Sequence, residues 1–308
     1  MKWKGTGLEL IAIFVENILP IFVVAGIGFL IARYVGADVR TLSRLTLYVL
    51  TPCFVFEVLV TSSVSAEEFG RLTLLTLGTI LGMGLIAWFV ARALRLDRVI
   101  TSAFIVVVMF ANGGNYGLPL TSFVFGQDAL ARATVYFVVS VVLTYTIGIF
   151  LASSGRRGFG EALLSVMKIP SIYAAVAAVV ITFTGTVLPS VLMRPIKLLG
   201  DAAIPVMILV LGMQMERSVR PASLRLVWLA VGLRLVVSGV LGILLAQFLG
   251  LDGAARQAGV LQSAMPVAVV TTILSVEFEI EPIFVTSVVF LSTVLSPFTL
   301  TPLIAWLK

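Results

Sequence analysis

Apolar residues occur along the chain in ten long runs, which are separated by short segments rich in glycine, proline or charged residues. A helix needs about 20 largely apolar residues to cross the hydrocarbon core of a bilayer, and most of these runs reach that length. The pattern therefore predicts an all-α polytopic membrane protein with ten transmembrane helices. The predicted spans are Leu10 to Ala32, Leu42 to Val60, Leu72 to Ala91, Ile100 to Phe125, Ala129 to Ala152, Leu163 to Phe183, Ile196 to Met215, Leu226 to Leu249, Ala255 to Val276 and Ile283 to Leu307.

The fourth span is interrupted near its centre by a segment that disfavours a helix. Ala111 to Pro119 contains three glycines, Gly113, Gly114 and Gly117, and its proline also removes a backbone donor. Inside a membrane, an interrupted helix leaves N–H and C=O groups unpaired at a cost of several kcal/mol each. We therefore expect the break to face protein or a water-filled cavity, and we expect that cavity to be the working site.

Prolines recur at matched positions in the two halves of the chain. The pairs are Pro20 and Pro170, Pro52 and Pro205, and Pro119 and Pro266, with offsets of 150, 153 and 147 residues. Prolines are common in membrane helices, but three matched offsets favour two copies of a five-span unit. Because five is odd, the second copy enters the membrane the other way up. We predict two inverted five-helix repeats, residues 1–152 and 153–308, an architecture typical of secondary transporters.

The same alignment pairs Asn115 to Pro119 in span four with Gln262 to Pro266 in span nine. Spans four and nine are then antiparallel broken helices whose interruptions cross at the midplane, and each downstream half begins with a proline at its first position. Two helix N-termini converge in this arrangement, each with about half a positive charge. Such a geometry favours an anionic ligand.

Lysine and arginine are unevenly divided between the two predicted sides of the membrane. Twelve lie on the side that carries Arg33, Arg92 and Arg225, eight lie on the other side, and Arg234 falls within span eight. Loops rich in these residues stay in the cytoplasm. We therefore predict a multi-pass protein of the cytoplasmic membrane with both termini extracellular.

Composition limits the chemistry of the chain. It is 60% hydrophobic and 12% charged with a mean hydropathy of +1.14, far from the range of soluble domains. It contains no histidine and one cysteine, Cys53, which excludes histidine-based zinc sites and triads and an internal disulfide. No phosphate-binding loop is present. We expect no metal site and no cofactor, with Na⁺ or H⁺ as the coupling ion, and no nucleic-acid partner, since the net charge of +6 comes from short loops.

Three motifs, in this order, resemble those of the auxin efflux carrier family, within the wider bile acid and sodium symporter superfamily. They are Asn112-Gly-Gly-Asn-Tyr-Gly-Leu-Pro119 in span four, Leu199-Gly-Asp-Ala-Ala-Ile-Pro205 with Gly212 in span seven, and Ala264-Met-Pro266 in span nine. The first motif is fairly specific, and the other two are informative through their order. Together with the span count, the resemblance covers nearly the whole chain.

The resemblance implies a scaffold of spans one, two, six and seven and a mobile transport domain of spans three to five and eight to ten. It also implies crossed broken helices, an elevator-like movement and a homodimer. Plant members carry a long cytoplasmic loop between spans five and six, whereas here only Ser153 to Lys168 is available. Short-loop bacterial relatives are associated with carboxylates such as malate or malonate, so the resemblance favours a small organic anion over a plant hormone.

Polar residues at the two breaks are the candidates for ligand contact. Asparagine can also act merely as a cap or turn residue, but polar groups that line cavities in membranes are usually functional. The glycines are expected to shape the backbone. The predicted substrate-binding residues are Asn112, Gly113, Gly114, Asn115, Pro119, Gln262, Ser263 and Pro266.

Three charged residues within spans are candidates for a coupling or charge role. Asp201 and Glu57 lie toward the outer ends of spans seven and two, where each is either an interfacial acid or a coupling site. Arg234 is deeper, and an unpaired arginine there is costly. Three roles are open to Arg234: its side chain snorkels to the cytoplasmic edge, pairs with an acid, or attracts the anionic substrate. The sequence favours the first of these.

The sequence as a whole predicts a secondary active transporter of a small organic anion, driven by an ion or proton gradient or by the membrane potential. The resemblance implies in addition an elevator-like movement and a carboxylate as the substrate. A passive channel or membrane receptor shares the composition but does not need two matched broken helices. An intramembrane aspartyl protease is disfavoured, because it needs two facing aspartates and Asp201 has no second aspartate in mid-span.

The predicted orientation can be tested by labelling in intact, right-side-out cells, in a Cys53→Ser background. Ser154→Cys should react with a membrane-impermeant maleimide only after permeabilisation, because the loop from Ser153 to Lys168 is predicted to be cytoplasmic. Gln127→Cys, in the loop predicted from Gly126 to Arg132, should react without it. Labelling of Ser154→Cys in intact cells would overturn the orientation.

Overall fold

The computed structural model of the chain describes residues 7–153, 164, 166–216 and 224–308. Its elements are helices, and these residues contain no strand, which confirms the all-α prediction. Most of the loop predicted from Ser153 to Lys168 lies outside the described residues. The helices are α1 (Gly7–Val35), α2 (Val39–Val60), α3 (Ala66–Ala93), α4 (Arg98–Met109), α5 (Gly113–Ala152), α6 (Pro170–Thr184), α7 (Ser190–Met215), α8 (Leu224–Phe248), α9 (Gly253–Ser263), α10 (Val270–Glu277) and α11 (Pro282–Leu307).

Seven of the helices in the described ranges are long and apolar enough to cross a membrane, namely α1, α2, α3, α5, α7, α8 and α11. The chain is therefore a multi-pass membrane protein. The short helices α4, α9 and α10 end or begin at the two segments that the sequence predicts to break helices. The count of ten crossings and the inverted repeat stay predictions.

Helix α5 is 40 residues long and has a kink at Gly126. Gly126 has φ 76° and ψ −165°, a conformation that is open to glycine and strained for other residues. The loop predicted from Gly126 to Arg132 is wrong in its length, because the chain returns to helical geometry directly after the glycine. The change in backbone direction is therefore made at Gly126 alone, and not over a loop of seven residues.

Side-chain caps fix the starts of α2, α3 and α4. Ser65 accepts a hydrogen bond from the amide of Glu68, and the Asp97 carboxylate accepts from two amides of the first turn of α4. Asp38 caps α2 in the same way, and hydrogen bonds from the Thr41 hydroxyl and the Arg40 amide lower the pKa of its carboxyl. The capping carboxylate of Asp38 therefore stays charged at neutral pH, which suits a helix N-terminus.

The helices pack into two groups that meet near the broken segments. In one group α1 packs against α7, and α2 packs against both α6 and α7. In the other group α5 packs against α9 and α3, while α8 packs against α3, α9 and α11. Within this second group Arg132 of α5 binds both carboxylate oxygens of Glu68 on α3, at 2.6 and 3.0 Å. The groups touch where α7 contacts Gly113–Gly117 at the start of α5, and also where α1 contacts α11 and where α2 contacts α5.

Helices α1 and α7 approach so closely that their contact admits no side chain. A Cβ atom added at Gly212 would lie 1.7 Å from the carbonyl oxygen of Ala25, and one added at Gly28 would lie 2.2 Å from that of Leu209. Small residues at such crossings let helices gain dispersion contacts in lipid, where the hydrophobic effect does not drive association. Gly212, which the motif of span seven includes, is therefore a packing residue.

Gly212→Ala should destabilise the protein, because the added methyl group forces α7 away from α1. Overpacking of this kind costs about 1–3 kcal/mol, which should appear as a lower melting temperature of the purified protein in detergent. Gly26→Ala is the matched control on α1, since a Cβ atom added there would meet no other atom within 4 Å, and it should be neutral or slightly stabilising. Equal melting temperatures for the two variants would contradict the packing role.

Candidate functional site

The two broken segments lie side by side and pair through their backbones. The Asn112 amide donates to the carbonyl of Pro266 at 2.8 Å, and the Ala268 amide donates to the carbonyl of Phe110 at 2.9 Å. Ala111 and Val267 form an antiparallel bridge between them. Each break thus supplies hydrogen-bond partners for the other, which offsets the cost of unpaired backbone within an apolar protein.

Arg234 on α8 satisfies carbonyl groups that the breaks leave without helical partners. Its Nε donates to Met265 at 3.0 Å, its Nη1 donates to Val108 at 3.1 Å and to Met109 at 3.3 Å, and its Nη2 donates to Ser263. These are the carbonyl ends of α4 and α9, where a helix carries partial negative charge. One guanidinium therefore joins both broken helices.

The preferred expectation for Arg234, snorkelling to the cytoplasmic edge, is wrong. Its side chain is 1% exposed, and its fork of donors also reaches the Ser238 hydroxyl on its own helix. The alternative of an acidic partner is also wrong, because the partners are carbonyl oxygens and a hydroxyl. The planar guanidinium carries five N–H donors in a fixed fork, whereas a lysine ammonium carries three at a single point.

Three buried amide atoms at the crossing have no hydrogen-bond partner within the described part of the chain. They are Nδ2 of Asn112 and both Nε2 and Oε1 of Gln262, whose side chain is completely buried. The Gln262 amide points at the glycines of the first break, since a Cβ atom at Gly117 would lie 2.4 Å from its Oε1. An unpaired buried polar group costs about 1–3 kcal/mol, so these atoms mark a place suited to a polar ligand.

A cavity of about 170 Å³ adjoins the crossing and extends between the two groups of helices. Its polar lining consists of hydroxyl and amide groups, and none of its lining residues is charged. Asn115 faces Gln214 of α7 across it, with 3.5 Å between Nδ2 and Oε1. The polar lining residues are Ser43, Thr46, Thr51, Asn112, Asn115, Ser140, Thr144, Tyr145 and Gln214.

Some of the predicted site residues line the cavity, and others lie behind the residues that line it. Asn112, Gly113, Gly114 and Asn115 line the cavity. Gln262 lies beside Gly113 and Gly117 rather than among the lining residues.

Ser263 is directed away from the cavity. Its hydroxyl bonds the Gly259 carbonyl at 2.8 Å and lies 3.4 Å from the hydroxyls of Tyr136 and Thr79. Its carbonyl accepts from Arg234, so its role in this structure is to hold α9 in place.

The two prolines differ in position. Pro119 is the second residue of the α-helical part of α5, which follows the π-helical turn Gly113–Gly117. The expectation that it starts the downstream half-helix is therefore wrong. Pro266 lies in the non-helical segment before α10, which begins at Val270, so the expectation that it starts the downstream half-helix is wrong. Its carbonyl accepts the hydrogen bond from Asn112.

Glu57 and Asp201 lie together in a second cavity of about 810 Å³. Both carboxylates bind the ammonium group of Lys197, with Nζ–O distances of 3.3 Å to Glu57 and 3.2 Å to Asp201. Asp128 and Gln127 line the same cavity. The structure thus brings these two acids together and separates them from Arg234 and the crossing.

Sequence reasoning missed Gln214 and Lys197. Gln214 is a polar residue at the end of an apolar run, and the rule that selected Asn112 could also have selected it. Lys197 is four residues before Asp201, a spacing that brings charges together on one helix face. The serine and threonine residues of α2 and α5 that line the cavity have no feature in the sequence that would have identified them.

Comparison with known proteins adds a family assignment to this geometry. The sequence profile described as membrane transport protein matches residues 13–304. An uncharacterized transporter of Methanothermobacter thermautotrophicus is 26% identical over 288 residues, 91% of this chain and 94% of that protein. An uncharacterized transporter of Methanocaldococcus jannaschii is 24% identical over 269 residues, 83% of this chain and 86% of that protein.

Arg234→Met should destabilise the protein strongly, because it leaves the carbonyl ends of both broken helices without donors. The expected loss is at least about 3 kcal/mol, measured as a fall in melting temperature or as loss of monodisperse protein. Arg234→Lys should be intermediate. Arg225→Met removes an exposed arginine of the same helix and serves as control. If the Arg234→Met and Arg225→Met proteins melt alike, Arg234 does not hold the crossing together.

Proposed function

We propose that this chain, which belongs to the membrane transport protein family, is a secondary active transporter of a small organic anion, in the first place a carboxylate. Membership of the family confirms the resemblance to auxin efflux carriers. The family and both archaeal relatives indicate a transporter and not an enzyme. The anion, its gradient-driven transport and the elevator movement are our proposals.

The proposal rests on two unpaired amide donors at the crossing, Nδ2 of Asn112 and Nε2 of Gln262, next to a cavity with no charged lining. Amide N–H groups donate to carboxylate oxygens, and such charge-assisted bonds are stronger than neutral ones. The first turns of α5 and α10 begin beside the cavity, and helix N-termini favour negative charge. The buried positive charge of Arg234 behind the breaks adds to this potential.

The size of the cavity favours a small substrate. A water molecule takes up about 30 Å³ in the liquid, so a cavity of about 170 Å³ has room for roughly six. A carboxylate of a few carbon atoms fits this space. We therefore propose small mono- or dicarboxylates.

The two groups of helices support the elevator proposal. We propose that α1, α2, α6 and α7 form the fixed scaffold, and that the remaining helices move with the crossing. If the chain crosses the membrane ten times, α4 and the part of α5 before Gly126 together form one crossing, and α9 and α10 together form another. The α1–α7 contact is closely packed, whereas the boundary between the groups contains the polar cavity. The homodimer and the outward orientation of both termini stay predictions.

The second cavity supplies the proposal for coupling. We propose that the carboxylates of Glu57 and Asp201 release the Lys197 ammonium group and bind the coupling ion, H⁺ or Na⁺, in its place when the transport domain moves. Gln127 and Asp128, which line the same cavity from α5, belong to the moving group, whereas Glu57, Lys197 and Asp201 belong to the scaffold. A movement of α5 would therefore change the surroundings of the ion pair.

Asn115→Leu should weaken substrate binding without preventing insertion, because leucine keeps the approximate size but removes an amide that lines the cavity. Gln262→Leu should also weaken binding, because it removes the unpaired amide that lies behind the lining, beside Gly113 and Gly117. Loss of one charge-assisted hydrogen bond costs about 1.5 to 3 kcal/mol, or about tenfold to more than a hundredfold in affinity. The substrate is first identified by a thermal-shift screen of mono- and dicarboxylates and indole acids, since a ligand of the folded state stabilises it. Gradient-driven uptake is then measured in proteoliposomes without ATP.

Gln247→Leu is the matched control, because it removes an exposed amide on α8, away from the lining of the cavity. Saturable uptake that exchanges with internal substrate indicates a carrier, and flux that rises linearly with concentration indicates a channel. If both site variants remain monodisperse and transport with unchanged affinity and rate, the amides are structural and the proposed site is wrong.

A further inference from the structure

A cavity of about 510 Å³ lies between the end of α3 and the start of α4, and the proposed transport cycle does not use it. It shares no residue with the cavity at the crossing or with the cavity around Lys197. The lining residues are Trp88, Arg92, Arg95, Leu96 and Thr101.

The cavity is positively charged. Among the described residues no carboxylate forms an ion pair with Arg92 or Arg95. Asp97 follows closely in sequence, but its carboxylate accepts hydrogen bonds from the amides of Val99 and Ile100 at 2.9 and 3.0 Å. The guanidinium groups are therefore available to an anion, whereas the first amides of α4 are not.

Local backbone geometry sets the two arginines at the mouth of the cavity. Arg95 has φ 53°, a left-handed conformation that is uncommon for a residue with a side chain. It lies in the turn between α3 and α4, three residues after Arg92 on the last turn of α3. The guanidinium carbon of Arg92 lies 6.0 Å from the centre of the Trp88 ring, a cation–π distance that restrains the side chain.

An exposed apolar stripe on α3 leads directly to this cavity. Leu74, Leu81, Leu85 and Phe89 lie on one face at helical spacing, and Leu85 and Phe89 are 60% and 63% exposed. From Leu74 to Phe89 the helix rises about 22 Å, more than the roughly 15 Å depth of one leaflet's hydrocarbon. Tryptophan at the end of such a stripe is typical of the membrane–water interface.

We propose that this cavity binds the headgroup phosphate of an anionic phospholipid, whose acyl chain lies along the α3 stripe. The arginine fork suits phosphate oxygens, and the basic residues lie on the side of the membrane that the charge count places in the cytoplasm. The lipid would bind α3 and α4, which belong to the group of helices that contains the crossing. It would thus stabilise that group from its lipid-facing side.

The test is a lipid titration of the purified, full-length protein followed by native mass spectrometry, with phosphatidylglycerol as the probe and phosphatidylcholine as the zwitterionic comparison. One phosphatidylglycerol should be retained per chain with clear preference over phosphatidylcholine. The double variant Arg92→Gln and Arg95→Gln should weaken this binding about thirtyfold, since each arginine near a membrane surface contributes about 1 kcal/mol. The double variant with lysine at both positions keeps the charge and should weaken it less than fivefold.

The double variant Arg40→Gln and Arg44→Gln is the matched control, because it removes two exposed arginines from the same predicted side of the membrane. It should bind phosphatidylglycerol within twofold of the unchanged protein. Equal loss in both glutamine double variants would overturn the proposal, since binding would then follow total charge. Unchanged binding after loss of Arg92 and Arg95, equal retention of phosphatidylcholine, or displacement of the lipid by millimolar inorganic phosphate would also overturn it.

Discussion

The arrangement of this protein depends on how the polar backbone of two broken helices is satisfied within an apolar molecule. The breaks at Phe110–Asn112 and Pro266–Ala268 bond to each other, and Arg234 supplies donors to the carbonyl ends on one side of the crossing. Without these bonds the free carbonyl groups would be buried unpaired, at a cost that a helix in lipid avoids by remaining continuous. The crossing therefore exists because partners for its backbone come from three separate parts of the chain.

The same constraint shapes the polar cavity. The arginine occupies the carbonyl ends of α4 and α9, so the opposite, amino-terminal ends of α5 and α10 are left for a ligand. Gln262 fills the space that the side chains of Gly113 and Gly117 would otherwise need. The glycines thus serve two purposes. They disfavour a regular helix, and they leave room for the side-chain amide of Gln262. A charged lining is unnecessary in such a site, because helix termini and a buried guanidinium supply the positive potential.

Packing differs in kind between the interior of each group of helices and the boundary between them. The contact of Gly212 with Ala25 is made at backbone distance and cannot slide without a steric clash. By contrast, the boundary contains a cavity whose lining mixes apolar side chains with hydroxyl and amide groups. This difference in packing supports the proposed movement between the groups rather than within them. The basic cavity at Arg92 lies at the lipid-facing edge of the group that contains the crossing.

The sequence by itself determined the membrane class, the helical content, the family and the neighbourhood of both breaks. These follow from local properties, namely the length of apolar runs and the glycines and prolines of Asn112 to Pro119 and Ala264 to Pro266. The first break is shorter than predicted, because Gly113–Gly117 form a π-helical turn and only residues 110–112 are non-helical. The sequence could not determine the role of Arg234, because an arginine in an apolar run is usually interpreted as snorkelling to the membrane surface. Its carbonyl partners are distant in sequence, and Val108 is more than 120 residues away. Nor could the sequence show that Glu57 and Asp201 share Lys197, or that Gln262 lies behind the cavity. Those relations join residues far apart in the chain, and only the tertiary structure decided them.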